Sequence, residues 1–165
     1  MLTFKKADVS SRGLPSVGVH MAKLLKATQQ NSQKNNPMLK LQYGLIPGRE
    51  IVFDYLVFLP EQGGKIGDFC NSAQLVMPED DSISFGMPVE HLIDRFVYIR
   101  IEIEEDNQGR GPRAIVAQYL TREGALAKAP NGTKFPTVTQ TPFVLPVIQP
   151  PDAGNSGDEP DDIPF

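Results

Sequence analysis

The chain contains no tryptophan, and its only cysteine is Cys70. A lone thiol excludes an intramolecular disulfide framework and leaves no C-x-x-C pair for a structural metal. No apolar run nears the roughly 18 residues that a membrane-spanning helix needs. The opening stretch MLTFKKADVSSRG has no apolar segment of the kind an export signal requires. A reducing cytoplasm is therefore the expected setting. Histidine is nearly as scarce. His20 and His91 have no Cys or Asp at ligand spacing, and His20, within a strand pattern, reads as a hydrogen-bonded structural imidazole. No Ser/His/Asp or Cys/His spacing suggests a nucleophile. In GALAKAPNGTKF the two glycines, Gly124 and Gly132, are wrongly spaced for a phosphate-binding loop. Glu102, Glu104, Glu105 and Asp106 could be imagined as a hard-cation site, but charge on a strand edge more simply blocks edge-to-edge pairing. No catalysis, no metal and no cofactor are expected.

What is present is charge sorted by position. The net charge is −4, yet residues 1–49 carry eight Lys or Arg against the single acid Asp8. Residues 50–106 carry three against thirteen acids, residues 107–151 five against one, and residues 152–165 none against five. A basic first third and a purely acidic end suggest a polyanion-binding surface with an acidic competitor on the same chain. The plainer reading is a solvated surface on which charges fall unevenly.

The order of elements narrows the fold. GVHMAKLLKAT (18–28) reads as a strand whose mixed pattern suits a curved strand that changes its buried face. QQNSQKNNP (29–37) is a polar loop closed by Pro37. MLKLQYGL (38–45) alternates as a second strand, IPGR (46–49) is a turn, and EIVFDYLVF (50–58) is a third strand. KIGDFCNSAQL (65–75) places Ile66, Phe69, Cys70 and Ala73 on one helical stripe, where Cys70 reads as a small core residue. PVEHLID (88–94) is a helical turn. RFVYIRIEIEE (95–105) sets Val97, Ile99, Ile101 and Ile103 on one face and Tyr98 and Arg100 on the other. DNQGRGP (106–112) is a loop, and RAIVAQYL (113–120) is a fifth strand. The expected fold is all-β: a five-stranded OB-fold barrel with one helix between strands three and four, over residues 1–145.

The stretches GVHMAKLL, NSQKNNPMLKLQYGLIPGREIVFDYL and PVEHLIDRFVYIRIEIEEDNQGRGPRAIVAQYL together resemble a family of phage-encoded single-stranded DNA-binding proteins. The resemblance covers about residues 17–120. Members carry an H- or Y-containing first strand, a Ser/Lys/Asn loop, an I-x-D strand and a final G-R-x-x-N/A-x-V-x-x-Y hairpin. It implies a protein that coats and protects single-stranded DNA without strong sequence preference, acting in DNA replication, recombination and repair within a bacterial host's cytoplasm or nucleoid. Oligomeric state is left open.

The ending DEPDDIPF is similar to the acidic tip of bacterial single-stranded DNA-binding proteins, where aspartates precede Ile-Pro-Phe. Residues 146–165 then form a flexible acidic tail of tether-like composition. By this likeness Asp161, Asp162, Ile163, Pro164 and Phe165 bind replication or recombination proteins. The proline restrains the backbone, the ring offers an apolar anchor and the acids speed encounter with a basic pocket.

A single-strand binder needs a basic groove along the phosphates and rings on which bases stack. If IPGR closes a four-residue hairpin loop, Leu45 faces Glu50, Gln42 faces Phe53 and Lys40 faces Tyr55, so that cations and rings share one face. A loop one residue longer or shorter would turn Phe53 and Tyr55 into the core. Tyr98 and Arg100 are candidates on the fourth strand. Lys23, Lys26 and Lys34 lie near the first loop, Arg49 near the second turn, and Arg110 and Arg113 near the last loop. Two other functions fit the same composition: an RNA-binding OB module, or an adaptor that binds one protein by its barrel and another by its tail.

Overall fold

The computed structural model describes residues 1–3, 14–48, 50–105, 109 and 111–148. It is mostly β with a few short helices. Strands β1 (Gly18–Asn31), β2 (Pro37–Ile46), β3 (Ile51–Val57), β6 (Phe96–Glu104) and β7 (Arg113–Leu120) form one antiparallel sheet in the order β3-β2-β1-β6-β7. Two short ribbons flank it: β4 (Leu75–Val76) with β8 (Phe143–Val144), and β5 (Ser84–Phe85) with β9 (Val147–Ile148). The closed five-stranded barrel expected from the sequence is corrected in one respect. Among the described residues no ladder joins β3 to β7, so the sheet is open along that seam.

Alternation decides which face is buried. Leu39, Leu41, Tyr43 and Leu45 of β2 point inward with Val52 and Leu56 of β3 and with Val97, Ile99 and Ile101 of β6. β1 changes face where Leu25 is inserted between Leu24 and Lys26 in the register with β2. This bulge lets Lys26, Thr28 and Gln30 point outward while Ala27 and Gln29 keep the inward register. Gly44 lies beneath it, where a Cβ would sit 3.0 Å from Leu25 Cδ1 and the leucine would have to shift.

The polar stretch expected as a loop over 29–37 is strand at both ends. β1 and β2 pair as far as Asn31 opposite Pro37, and only 32–36 turn. Glutamine and asparagine suit a ribbon wet on both sides, and proline is tolerated as the first residue of a strand. The turn is tied internally: the Asn35 N–H donates to the Ser32 carbonyl at 2.8 Å and the Asn36 N–H to Ser32 Oγ at 3.1 Å.

Helix α1 (Gly63–Ser72) buries Ile66, Phe69 and Cys70 against the open end of the sheet. It stops earlier than the periodicity suggests, because Gln74 takes a left-handed φ of 59° and redirects the chain into β4. Burial pushes the Cys70 thiol up to about 12, so it stays a neutral core group.

Among the described residues Asp54 is the one buried carboxylate, and it is tied in from two sides, with Tyr43 behind one of them. Tyr119 of β7 donates to Oδ2 at 2.7 Å, Lys65 of α1 to Oδ1 at 2.8 Å, and Tyr43 shares a hydrogen bond with Tyr119 at 2.9 Å. Burial holds both phenols well above their ordinary value. The chain of side-chain contacts thus spans the seam where the backbone ladder is absent.

Helix α2 (Arg122–Lys128) begins at Thr121, whose Oγ1 accepts the Gly124 N–H at 3.1 Å. The chain after it folds back over part of the outer face. Beyond it Leu145 is buried and β9 pairs with β5.

Candidate nucleic-acid interface

The outer face of the sheet is divided in two. Over β6 and the start of β1 it is covered: Met21, Tyr98, Leu120 and Ala125 form a second buried cluster with Phe135 and Val138 packed against it. Arg122 donates to the Tyr98 hydroxyl at 2.8 Å, and Gln140 bonds both the N–H and the carbonyl of Phe96 at 2.9 Å. This overturns the expectation that Tyr98 is an exposed stacking ring. Its strand phase is as read, opposite the isoleucines, but α2 and residues 129–142 lie on top of it. Arg100 is on the same face, half-buried beside Gln118 and paired with Glu102.

The other half, over β3, β2 and the far end of β1, is open. The hairpin register is the one that a four-residue loop predicts: Gln42 pairs with Phe53 and Lys40 with Tyr55, and the Leu45 N–H donates to the Glu50 carbonyl at 3.0 Å. Ile51, Phe53 and Tyr55 are therefore exposed in a row, Phe53 at 42% and Tyr55 at 45%. Three large apolar side chains on a bare edge strand are an aggregation hazard that proteins ordinarily avoid. Such a row makes sense as a surface meant to be covered.

Cations accompany the rings. Lys40 Nζ lies 5.1 Å from the centroid of Phe53, within cation–π range. Lys26, Lys40 and Phe53 wall a hollow of about 240 Å³ together with Thr28, Gln30 and Gln42. Phe53 also borders a larger groove of about 800 Å³ along the seam between β3 and β7, which Tyr55 and Arg113 line. The two hollows share the Phe53 ring, so a track runs Lys26–Lys40–Phe53–Tyr55–Arg113. Lys34 sits at the hairpin tip beyond it.

Not all the expected residues join this track. Lys23 is on the outer face but is paired with Asp94 at 3.3 Å, away from the hairpin tip. Arg113 is within 3.2 Å of Glu104 while remaining exposed. Arg49, Arg110 and the tail residues Asp161, Asp162, Ile163, Pro164 and Phe165 lie outside the described residues. Ile51, Thr28, Gln30 and Gln42 were missed by the sequence reading. Register alone could have found them, since each shares the parity of Lys26, Lys40 or Phe53.

Among the described residues there is no group of three or more His, Cys, Asp or Glu placed to hold a metal ion. No helix among the described residues is long and apolar enough to cross a membrane. His20 Nε2 bonds to the Ser16 carbonyl oxygen at 2.8 Å, and His91 stacks on Phe143 at 4.8 Å. No family model matches the chain, and no curated protein matches it.

Proposed function

We propose that the protein binds single-stranded DNA without strong sequence preference, coating and protecting it, and that it recruits replication or recombination proteins through the acidic Ile-Pro-Phe tip. The observation that carries this reading is the exposed row Ile51, Phe53, Tyr55 flanked by Lys26, Lys40 and Arg113 across two adjoining hollows. Rings take the bases by stacking, which is indifferent to base identity, and lysines take the phosphates. The polar side chains between them offer hydrogen bonds without a fixed donor–acceptor code. The strand order β3-β2-β1-β6-β7 with α1 between β3 and β6 supports an OB-type barrel whose last seam is closed by side chains instead of a ladder. In that fold the middle strands and the loops that flank them take up nucleic acid.

The chain lacks tryptophan, so the test uses a fluorescein-labelled oligo-dT and reads anisotropy across a salt series. Expected is binding in the nanomolar to micromolar range. Log affinity should fall linearly with log salt, by about 0.7 per phosphate contact. Absence of binding at about 50 mM salt, where electrostatic attraction is strong, refutes the reading. An oligo-U of equal length, run as a competitor, separates DNA from RNA: preferential displacement by oligo-U would favour an RNA-binding module.

A further inference from the structure

A third hollow, of about 710 Å³, lies between the start of β2, helix α1 and the β5–β9 ribbon. Three of the protein's five methionines, Met38, Met77 and Met87, line it with Phe58, Phe85 and Ile148. Phe58, Met77, Phe85 and Met87 pack on the main core by one side and remain half-exposed on the other. Its size is that of a pocket taking one or two large side chains, and flexible thioethers adapt to whatever enters.

The charge around this hollow is opposite to that of the track. Besides the hairpin end, residues 29–39, which adds Lys34, the segments that wall it, residues 60–68 and 77–90, carry six exposed carboxylates, Glu61, Asp68, Glu79, Asp80, Asp81 and Glu90. Their only cation among Lys and Arg is Lys65, bound to Asp54. Such a rim repels a nucleic acid. It also repels the chain's own residues 152–165, which hold five acids and no cation. We propose that this hollow docks a cationic amphipathic helix of a partner protein. Its apolar side chains, spaced one turn apart, enter between the methionines, and its Lys or Arg residues face Glu79, Asp80 and Asp81. The inference does not depend on the nucleic-acid reading, because it uses different residues and the opposite charge.

The test uses the full chain and three labelled probes of about four helical turns: an amphipathic Leu/Lys helix, its Leu/Glu counterpart, and a Lys-rich peptide without leucine. Expected is micromolar binding of the Leu/Lys helix, at least about tenfold tighter than either of the others. Met77→Glu should weaken it by about tenfold or more. So should the combined Glu79→Lys, Asp80→Lys and Asp81→Lys chain, whose changes sit on an exposed loop and leave the core intact. Oligo-dT affinity should stay within about twofold for the Met77→Glu chain. Equal binding of the leucine-free probe, or no loss on charge reversal, would overturn the proposal. A chain lacking residues 152–165 should bind the Leu/Lys helix as the full chain does. If binding vanishes with the tail, the acidic tail is the receptor; if it tightens about tenfold, the tail occupies the hollow. Either result also overturns it.

Discussion

Asp54→Ala probes what closes the seam between β3 and β7. The carboxylate accepts from Tyr119 at 2.7 Å and from Lys65 at 2.8 Å. With Tyr119 donating to Asp54, Tyr43 must donate to Tyr119. Removing the acceptor leaves two buried hydroxyl protons and one remaining phenol oxygen pair, so one proton has no partner. An orphaned buried donor costs about 1–3 kcal/mol. The Lys65 side chain is about one-third exposed (32%), so it turns to water and its lost pairing adds no more than about 1 kcal/mol. The expected loss is therefore about 1–4 kcal/mol, a large share of an ordinary domain's stability. It is read as a shift of the urea midpoint at unchanged slope. A double-mutant cycle with Tyr119→Phe should return a coupling of about 1–3 kcal/mol. A loss below about 0.5 kcal/mol, or additivity of the two changes, would mean that the network does not hold the seam. pH gives an independent check. Burial raises both phenols above 10, so the unfolded chain releases those protons first as pH rises. The stabilisation is complete below pH 10 and is lost above it, by at most about 1.4 kcal/mol per unit for each phenol. Tyr43→Phe should halve that alkaline slope.

If the proposed function holds, Phe53→Ala should weaken oligo-dT binding by about 1–3 kcal/mol, the worth of one stacked base, with little change in melting temperature because the ring is exposed; an unchanged affinity would remove it from the track. Lys40→Ala should lower the salt slope by about 0.7, one phosphate contact on a single strand, and a slope equal to that of the parent would mark Lys40 as plain surface charge. Tyr98→Ala should cost about 3–5 kcal/mol in urea melts, as truncation of a buried ring does. Loss of DNA affinity in that variant at unchanged stability would contradict the covered outer face. Deleting residues 152–165 should tighten oligo-dT binding most at low salt, because a tethered strip of five acids competes at roughly millimolar effective concentration. Equal affinity at about 20 mM salt would refute that competition.

The strands and their faces were legible because both follow from period-two alternation, unbroken in the burial of β2 and β3 and in the residue types of β6. The β2–β3 register was legible from one turn, since fixing Leu45 opposite Glu50 fixes every pair behind it. Even the change of face in β1 left a trace in the unbroken apolar pair Leu24–Leu25, where the bulge falls. What the sequence could not supply was the neighbour of each face. Tyr98 alternates outward whether or not anything covers it, and the cover comes from residues more than twenty positions later whose own pattern is short and polar. The periodicity of TREGALAK (121–128) is too brief to announce a core: α2 spans seven residues and buries only Ala125. The same blindness applies to the seam. Asp54 reads as a misplaced charge in an apolar strand until Tyr119, sixty-five residues away, is brought to it. The exposed row of β3 and the covered ring of β6 thus share one sequence signature and differ only in long-range packing, so the proposed binding face is set by which half of the sheet the chain's later segment leaves bare.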